Sequence, residues 1–540
     1  MYMRRWKPPR ITYLTTISTP RSLSLTCRGK PIQHEQLFTY TNGRFLVNEK
    51  LKLSKRYAKF DLDALCAVVS SLPQISSPIA TIDKMEGGFN KALLMTAENG
   101  KQVIAKMAFP NLVPAKYVTA SEVAVLEYVG SYTSVPVPKV IGWSSDSSNP
   151  VGSEYILMEK ASGKQLFQVW GEMNQLQQFS LIKSLVQLES QLAAMQFPAY
   201  GSLYLWDSVS QLDSVVPIDD KYCLGPMYNA SWFPQLGTEL YAGPWKDLSE
   251  LGPALTGRGL VRLQHSTLTP RGPHFGTLSE HREILEATKK ILPSLAGLPA
   301  IQKLFTPTIW HSDLHMGNIY VSEEDPTTIV SIIDWQFISI MPAFMQVQWP
   351  TFLSPPETYD YGLVKPELPA NFDGMDEDEK AFARTERDQA FLSKCYEAGL
   401  AKYHFPLYLA LTQIYSPVRH LFSFCENTTK NGIVPLRDSL TEIINNWTEL
   451  GLTDTCPFRI HDYDLSKHQD EVARYKDWQT LKGYTQELLH TDDDGWISPQ
   501  LDFDKVRARH DELFQLYMQR ETEDLSESEA KRLWFYTDNT

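Results

Sequence analysis

The segment His311-Ser312-Asp313-Leu314-His315-Met316-Gly317-Asn318 is followed, sixteen residues after its asparagine, by Asp334 at the end of the β-rich run Ile329 to Ile333. Two acids and an amide at this spacing suit phosphoryl transfer. One carboxylate must orient the attacking hydroxyl. An amide oxygen and a second carboxylate must hold Mg²⁺ on the phosphates of ATP. Asp313 is the candidate for the first acid, Asn318 for the amide and Asp334 for the second acid.

A His-x-Asp triplet alone occurs in many proteins, but His-x-Asp followed by four residues and Asn is the spacing of kinase catalytic loops. The surroundings agree. Ile319-Tyr320-Val321 reads as a strand, Glu324-Asp325-Pro326 as a turn and Ile329 to Ile333 as a second strand. A hairpin of that size returns Asp334 to the side of Asn318. The competing reading is a surface loop with solvated acids, which needs three separated residues to agree by accident. The loop and Ile333-Asp334-Trp335 resemble the aminoglycoside phosphotransferase and choline kinase superfamily, with Ser312 where those proteins carry glycine. That resemblance implies an α+β, bilobal protein-kinase-like fold of the aminoglycoside phosphotransferase type. Its small β-rich N-lobe and larger helical C-lobe enclose Mg-ATP.

The upstream half contains elements suited to such an N-lobe. Lys91 to Ala97 and Lys101 to Ala108 are β-type runs separated by Glu98-Asn99-Gly100. Asn-Gly between such runs predicts a tight hairpin with both turn residues at positive φ. Lys106, on the second run, is either a phosphate-contacting lysine or a solvated strand lysine. Gly87 and Gly88 lie just before the hairpin with Asn90, in Glu86-Gly87-Gly88-Phe89-Asn90. They read as a loop whose backbone approaches phosphate closely, or as a plain turn. Glu122 is the candidate ion-pair partner of Lys106. It also stands three residues after Thr119, the spacing of a capping box, and Glu127 is a second candidate for the pair. The apolar strand before Glu159-Lys160-Ala161-Ser162-Gly163 resembles an interlobe hinge, where backbone groups from Glu159 to Ala161 would bind adenine.

Further segments extend the resemblance. They include Gly43-Arg44-Phe45-Leu46, Arg56-Tyr57-Ala58-Lys59-Phe60, Thr119-Ala120-Ser121-Glu122 and Pro136-Val137-Pro138-Lys139. Taken in order, they look like the fungal altered-inheritance-of-mitochondria phosphotransferase family, which implies a mitochondrial address but no particular acceptor.

At 540 residues the chain is long enough for two or more domain-sized units. The first 34 residues hold seven Lys or Arg, no Asp or Glu, and many Ser and Thr, which is transit-peptide composition. The alternative is a basic tail on a cytoplasmic protein. The whole chain has 51 basic and 64 acidic residues; without those seven, 44 basic residues remain against 64, a net charge of −20. Such a chain is a poor general nucleic-acid binder. Six scattered cysteines with no Cys-x-x-Cys pair argue against a disulfide framework or zinc site. No apolar run reaches membrane-spanning length, which predicts a soluble protein with no transmembrane segment.

The expected organisation is a transit peptide over 1–34, an N-terminal extension over 35–75 and an ATP-binding N-lobe over 76–160. A C-lobe core over 161–380 carries the catalytic loop, and a helical C-terminal part follows over 381–540. The period of Gln175 to Met195 predicts a core helix, and Phe405 to Leu411 reads as core. The expected activity is ATP- and Mg²⁺-dependent phosphorylation of a small hydroxylated molecule. A catalytically inactive kinase-like scaffold, or a nucleotide-binding protein with a role in mitochondrial maintenance, is the alternative. Residues 202–275, rich in aromatics, Gly and Pro, shape either an acceptor pocket or packing around the lobe.

Overall fold

A computed structural model describes residues 23–537 except 213, 229–241, 266–271, 303, 415 and 459–461. The first 22 residues, which make up most of the segment expected to be a transit peptide, and part of the aromatic 202–275 segment lie outside the described residues.

The N-lobe is a seven-stranded sheet in the order Lys30–Pro31, Ser24–Cys27, Ile79–Glu86, Asn90–Ala97, Gln102–Ala108, Tyr155–Met158, Val140–Ser144. Ser24–Cys27 runs parallel to Ile79–Glu86, and every other pairing in this sheet is antiparallel. The central hairpin forms where the sequence predicts it, with a different turn. Ala97 accepts the Gly100 N–H (2.9 Å) and donates to the Lys101 carbonyl (2.9 Å). Only Gly100 has positive φ (+82°), so the loop has three residues with glycine at the left-handed position. Val103, Ala105 and Met107 alternate into the lobe's core beneath Leu65, Val69 and Leu93. Residue 106 therefore faces the other way, toward the cleft.

Part of the segment expected from composition to be a transit peptide lies in this sheet. Ser24–Cys27 and Lys30–Pro31 fall within 1–34, yet they are strands of this sheet, and Thr26 Oγ1 donates to Asp83 (2.6 Å). Charge composition is blind to backbone pairing. Segment 34–42 is held by buried cations: the Lys84 ammonium donates to the Gln36 and Thr39 carbonyls (2.6 and 2.8 Å). Burial pushes the Lys91 amine down to about 8 despite the neighbouring Glu86 carboxylate (3.2 Å).

The C-lobe is built around helix Gln175–Ala194, opened by an Asn174 capping box. Its Leu181, Leu185 and Leu192 are buried as their period predicts, and it packs against helix Glu377–Tyr403. Phe405 to Leu411 is only half core. In helix Phe405–Thr412, Leu407 and Ala410 are buried while Phe405 is 55% exposed, because a helix buries one stripe rather than a run. The end of the chain does not simply complete the C-lobe. Leu489, Tyr517, Trp534 and Tyr536 form a separate cluster with Leu46 and Val47 of the N-terminal extension. Among the described residues no helix is long and apolar enough to cross a membrane, and all six cysteines are free.

Candidate active site

Lys106 lies on the strand flanked by both Asn90–Ala97 and Tyr155–Met158, opposite Ala92 and Ile156. Its ammonium meets Glu122 Oε1 at 2.6 Å and Asp334 Oδ1 at 2.7 Å. Strand, helix and C-lobe loop thus converge on one buried cation. Burial disfavours the ammonium, but the carboxylates of Asp334 and Glu122 outweigh it and raise its pKa above the ordinary lysine value. Burial likewise opposes the Asp334 carboxylate, and Lys106 overcomes it to hold the group below the usual range.

Helix Ala115–Tyr132 begins after Pro114, so Thr119 and Glu122 lie inside it and form no capping box. Proline suits a helix start because it presents no unsatisfied N–H there. Glu127 pairs with Lys221 (2.6 Å) on the outer face of the helix.

Strands Ile319–Val321 and Ile329–Ile332 form the expected hairpin, and the Ile333 N–H donates to the Asn318 carbonyl (2.9 Å). Asp334 follows at φ +63°, a conformation that costs a non-glycine residue roughly 1 kcal/mol or more. Neighbouring contacts hold it there. His311 Nε2–H donates to the Ile333 carbonyl (2.9 Å), and the Trp335 indole N–H donates to Ile332 (2.8 Å). The two rings meet edge-on with centroids 4.9 Å apart. Burial pulls the His311 pKa down, which favours the neutral ring.

Asn318 is buried, and its amide N–H donates to the Asp313 carbonyl (2.9 Å). A carbonyl only accepts, so this contact fixes which end is nitrogen and leaves Oδ1 free. The Asp313 carboxylate is exposed and has no partner among the described residues. His315 Nδ1 accepts the Gly317 N–H (3.0 Å), a loop-shaping contact. Asn318 Oδ1 and the outer Asp334 oxygen make a hard-oxygen pair that could hold a small divalent cation.

The glycine turn closes over this loop. Gly87 N–H donates to the Asn90 carbonyl (3.0 Å), while the N–H groups of Gly88 and Phe89 find no acceptor among the described residues. Phe89 packs edge-on against Phe337 (5.2 Å). The buried Asn90 side chain donates to Gln336 Oε1 (2.9 Å), so its amide is engaged with the loop after Asp334. At the hinge, the Glu159 N–H donates to the Lys139 carbonyl (2.9 Å). The Glu159 carbonyl and the backbone groups of Lys160 and Ala161 have no backbone partner among the described residues.

Residues 86–347 match the sequence model of the phosphotransferase enzyme family. This part of the chain is a phosphotransferase-family domain. A subtelomeric hrmA-associated cluster protein of Aspergillus fumigatus is 27% identical over 497 residues, covering 84% of this chain and 96% of that protein. Altered inheritance of mitochondria protein 9, mitochondrial, of Candida albicans is 24% identical over 556 residues, covering 89% and 86%. Among solved structures, a streptomycin- and ATP-bound aminoglycoside phosphotransferase is 12% identical, with TM-score 0.37, over 73% of this chain and 99% of its own.

The phosphotransferase domain uses residues that local patterns do not single out. Gly163, at φ +81°, lets the segment after the hinge cross the hairpin, since a Cβ there would lie 2.1 Å from the Val321 carbonyl. Gln165 then donates to the Gly317 carbonyl (2.8 Å), joining hinge to loop. Gln336 and Phe337 adjoin the Asp334 motif, but their partners are more than 240 residues away in the chain. Arg56 donates to the Gly88 carbonyl (3.0 Å) from outside the family match.

Proposed function

We propose that this phosphotransferase moves the γ-phosphate of ATP to the hydroxyl of a small molecule, with Mg²⁺ bound by Asn318 and Asp334. The observation that carries the reading is the Lys106 ammonium, held between Glu122 and Asp334 at 2.6 and 2.7 Å. A cation fixed by two elements is preorganised for phosphate rather than free to relax. Asp313, at the exposed mouth of the loop, accepts the hydroxyl proton as the acceptor oxygen bonds to the γ-phosphorus and the bond to the β-phosphate oxygen breaks. ADP and the phosphorylated acceptor are the products. The N–H groups of Gly88 and Phe89 contact phosphate oxygens, and the Glu159 carbonyl and Ala161 N–H take the adenine edge. Bound Mg²⁺ supplies charge neutralisation on the phosphates.

A mitochondrial site of action is part of the proposal. The name of the Candida albicans relative and the acid-free, basic first residues support it.

The test is Mg-ATP binding by thermal shift, wild type beside Asp334→Asn, which keeps a residue tolerant of positive φ. Ligand at 100 times its Kd stabilises by roughly 2.7 kcal/mol. A Mg-dependent shift lost in the variant, with ADP release against some member of a metabolite panel, supports the kinase. Nucleotide binding without turnover across the panel favours the nucleotide-binding alternative, and no binding at millimolar ATP defeats the kinase and favours the inactive kinase-like scaffold.

A further inference from the structure

The glycine turn is braced from outside by parts of the chain that precede and follow the lobes. Arg56 is only 7% exposed. Its Nε–H donates to the Gly88 carbonyl (3.0 Å) and its Nη1–H to the Lys52 carbonyl (3.1 Å). Its guanidinium lies over the rings of Phe45 (4.7 Å) and Tyr40 (5.4 Å). Two neighbours grip the start of the same turn: Asn42 donates to the Glu86 carbonyl, and the Thr41 N–H donates to the Glu86 carboxylate (2.7 Å). The C-terminal module holds this segment in turn. Trp496–Ile497 pairs antiparallel with Arg44–Phe45, and the Trp496 indole N–H donates to the Asn42 carbonyl (2.8 Å). Leu46 N–H donates to the Gly495 carbonyl (2.8 Å).

The consequence follows from peptide geometry. The Gly88 carbonyl and the Phe89 N–H belong to one trans peptide and point in opposite directions. Fixing that carbonyl on Arg56 turns the N–H away from the extension. Gly87 and Gly88 would otherwise sample many conformations, and a turn already held loses less freedom when it binds an anion.

We infer that Arg56 is a positioning residue: it holds the Gly88 carbonyl outward so that the glycine turn meets the nucleotide phosphates preformed, with the C-terminal module bracing it. This rests on the nucleotide-site reading above. Arg56 touches no nucleotide itself, so its effect belongs to the phosphates and not to the base.

Calorimetry with Mg-ATP and with adenosine separates those two parts. Arg56→Met keeps the apolar stem against Phe45 and Tyr40 and removes the donors. It weakens Mg-ATP on the order of tenfold and leaves adenosine affinity unchanged, and Arg56→Lys recovers part of the loss. Equal loss for both ligands reduces Arg56 to a structural role and overturns the inference, as does unchanged Mg-ATP affinity. Wild type that binds neither ligand defeats the nucleotide site itself, a different outcome. Hydrogen exchange on the wild-type protein needs no variant. Mg-ATP slows exchange at residues 86–90, while residues 40–56 exchange equally slowly before and after it is added. Free exchange at 40–56 until ATP arrives overturns the preformed brace.

Discussion

A single buried ammonium pairs with two carboxylates, and this separates stability from function at Lys106. Removing one member of a buried ionic group costs about 3–5 kcal/mol because the others are left uncompensated. Lys106→Met should therefore destabilise the protein by an amount in that range. The double variant Lys106→Met, Glu122→Gln should recover much of the stability while Mg-ATP binding stays lost. Denaturant unfolding beside calorimetry checks both halves, and a double variant that binds ATP normally would refute the phosphate role. Glu189 offers a residue-scale prediction about pH. It is buried beside Tyr396, and burial pushes its carboxyl up to about 8 from 4.5. The folded chain thus holds a proton that the unfolded chain releases. Its stabilising effect is complete below pH 4.5 and is lost as pH rises toward 8. The slope is at most about 1.4 kcal/mol per pH unit. Urea melts across that range should be flatter for Glu189→Gln, and parallel curves would show that Glu189 is not the group responsible.

Two glycines with nearly the same φ make a comparison at the scale of elements. Gly100 (+82°) turns the N-lobe hairpin with open space where a Cβ would stand, whereas Gly163 (+81°) would place a Cβ 2.1 Å from the Val321 carbonyl. Gly100→Ala meets only the conformational cost, roughly 1 kcal/mol. Gly163→Ala must also push the hinge strand off the catalytic hairpin, so its destabilisation should be at least twice as large, with weaker nucleotide binding. Similar unfolding midpoints for the two variants would remove Gly163 from its role as the close-packed joint between hinge and loop.

At the scale of the whole molecule, residues 42–56 pack against both the 489–536 region and the glycine turn. Trp534 is 2% exposed and packs against Phe514, Tyr517 and Phe535, in the cluster that also holds Leu46 and Val47. Trp534→Ala should cost about 3–5 kcal/mol if the whole chain unfolds as a unit. It should also speed amide exchange at residues 40–56, far from the substitution in sequence. A loss confined to residues 490–537 would mean that the C-terminal module unfolds alone and does not brace the N-lobe.

The hairpin that carries His311 to Asn318 and Asp334 was legible because it is local. His311 to Asn318, the turn after Val321 and Asp334 sit on one hairpin, so residue type and spacing alone place them together. The Glu98-Asn99-Gly100 hairpin and the Gln175 helix were legible for the same reason, since period and turn chemistry act over a few residues. The sequence also put Lys106 on a strand and Glu122 on a helix, but it left open whether Glu122 capped that helix or paired with Lys106. Only packing decided this, by starting the helix at Ala115 and turning Glu127 outward to Lys221. Tertiary structure likewise paired Ser24–Cys27 with Ile79–Glu86, bound Asn90 to Gln336 across 246 residues and set Arg56 behind Gly88. These pairings are between distant segments and leave no periodicity at either end. The Asn90 and Arg56 contacts form because buried polar groups must find partners once distant segments come together.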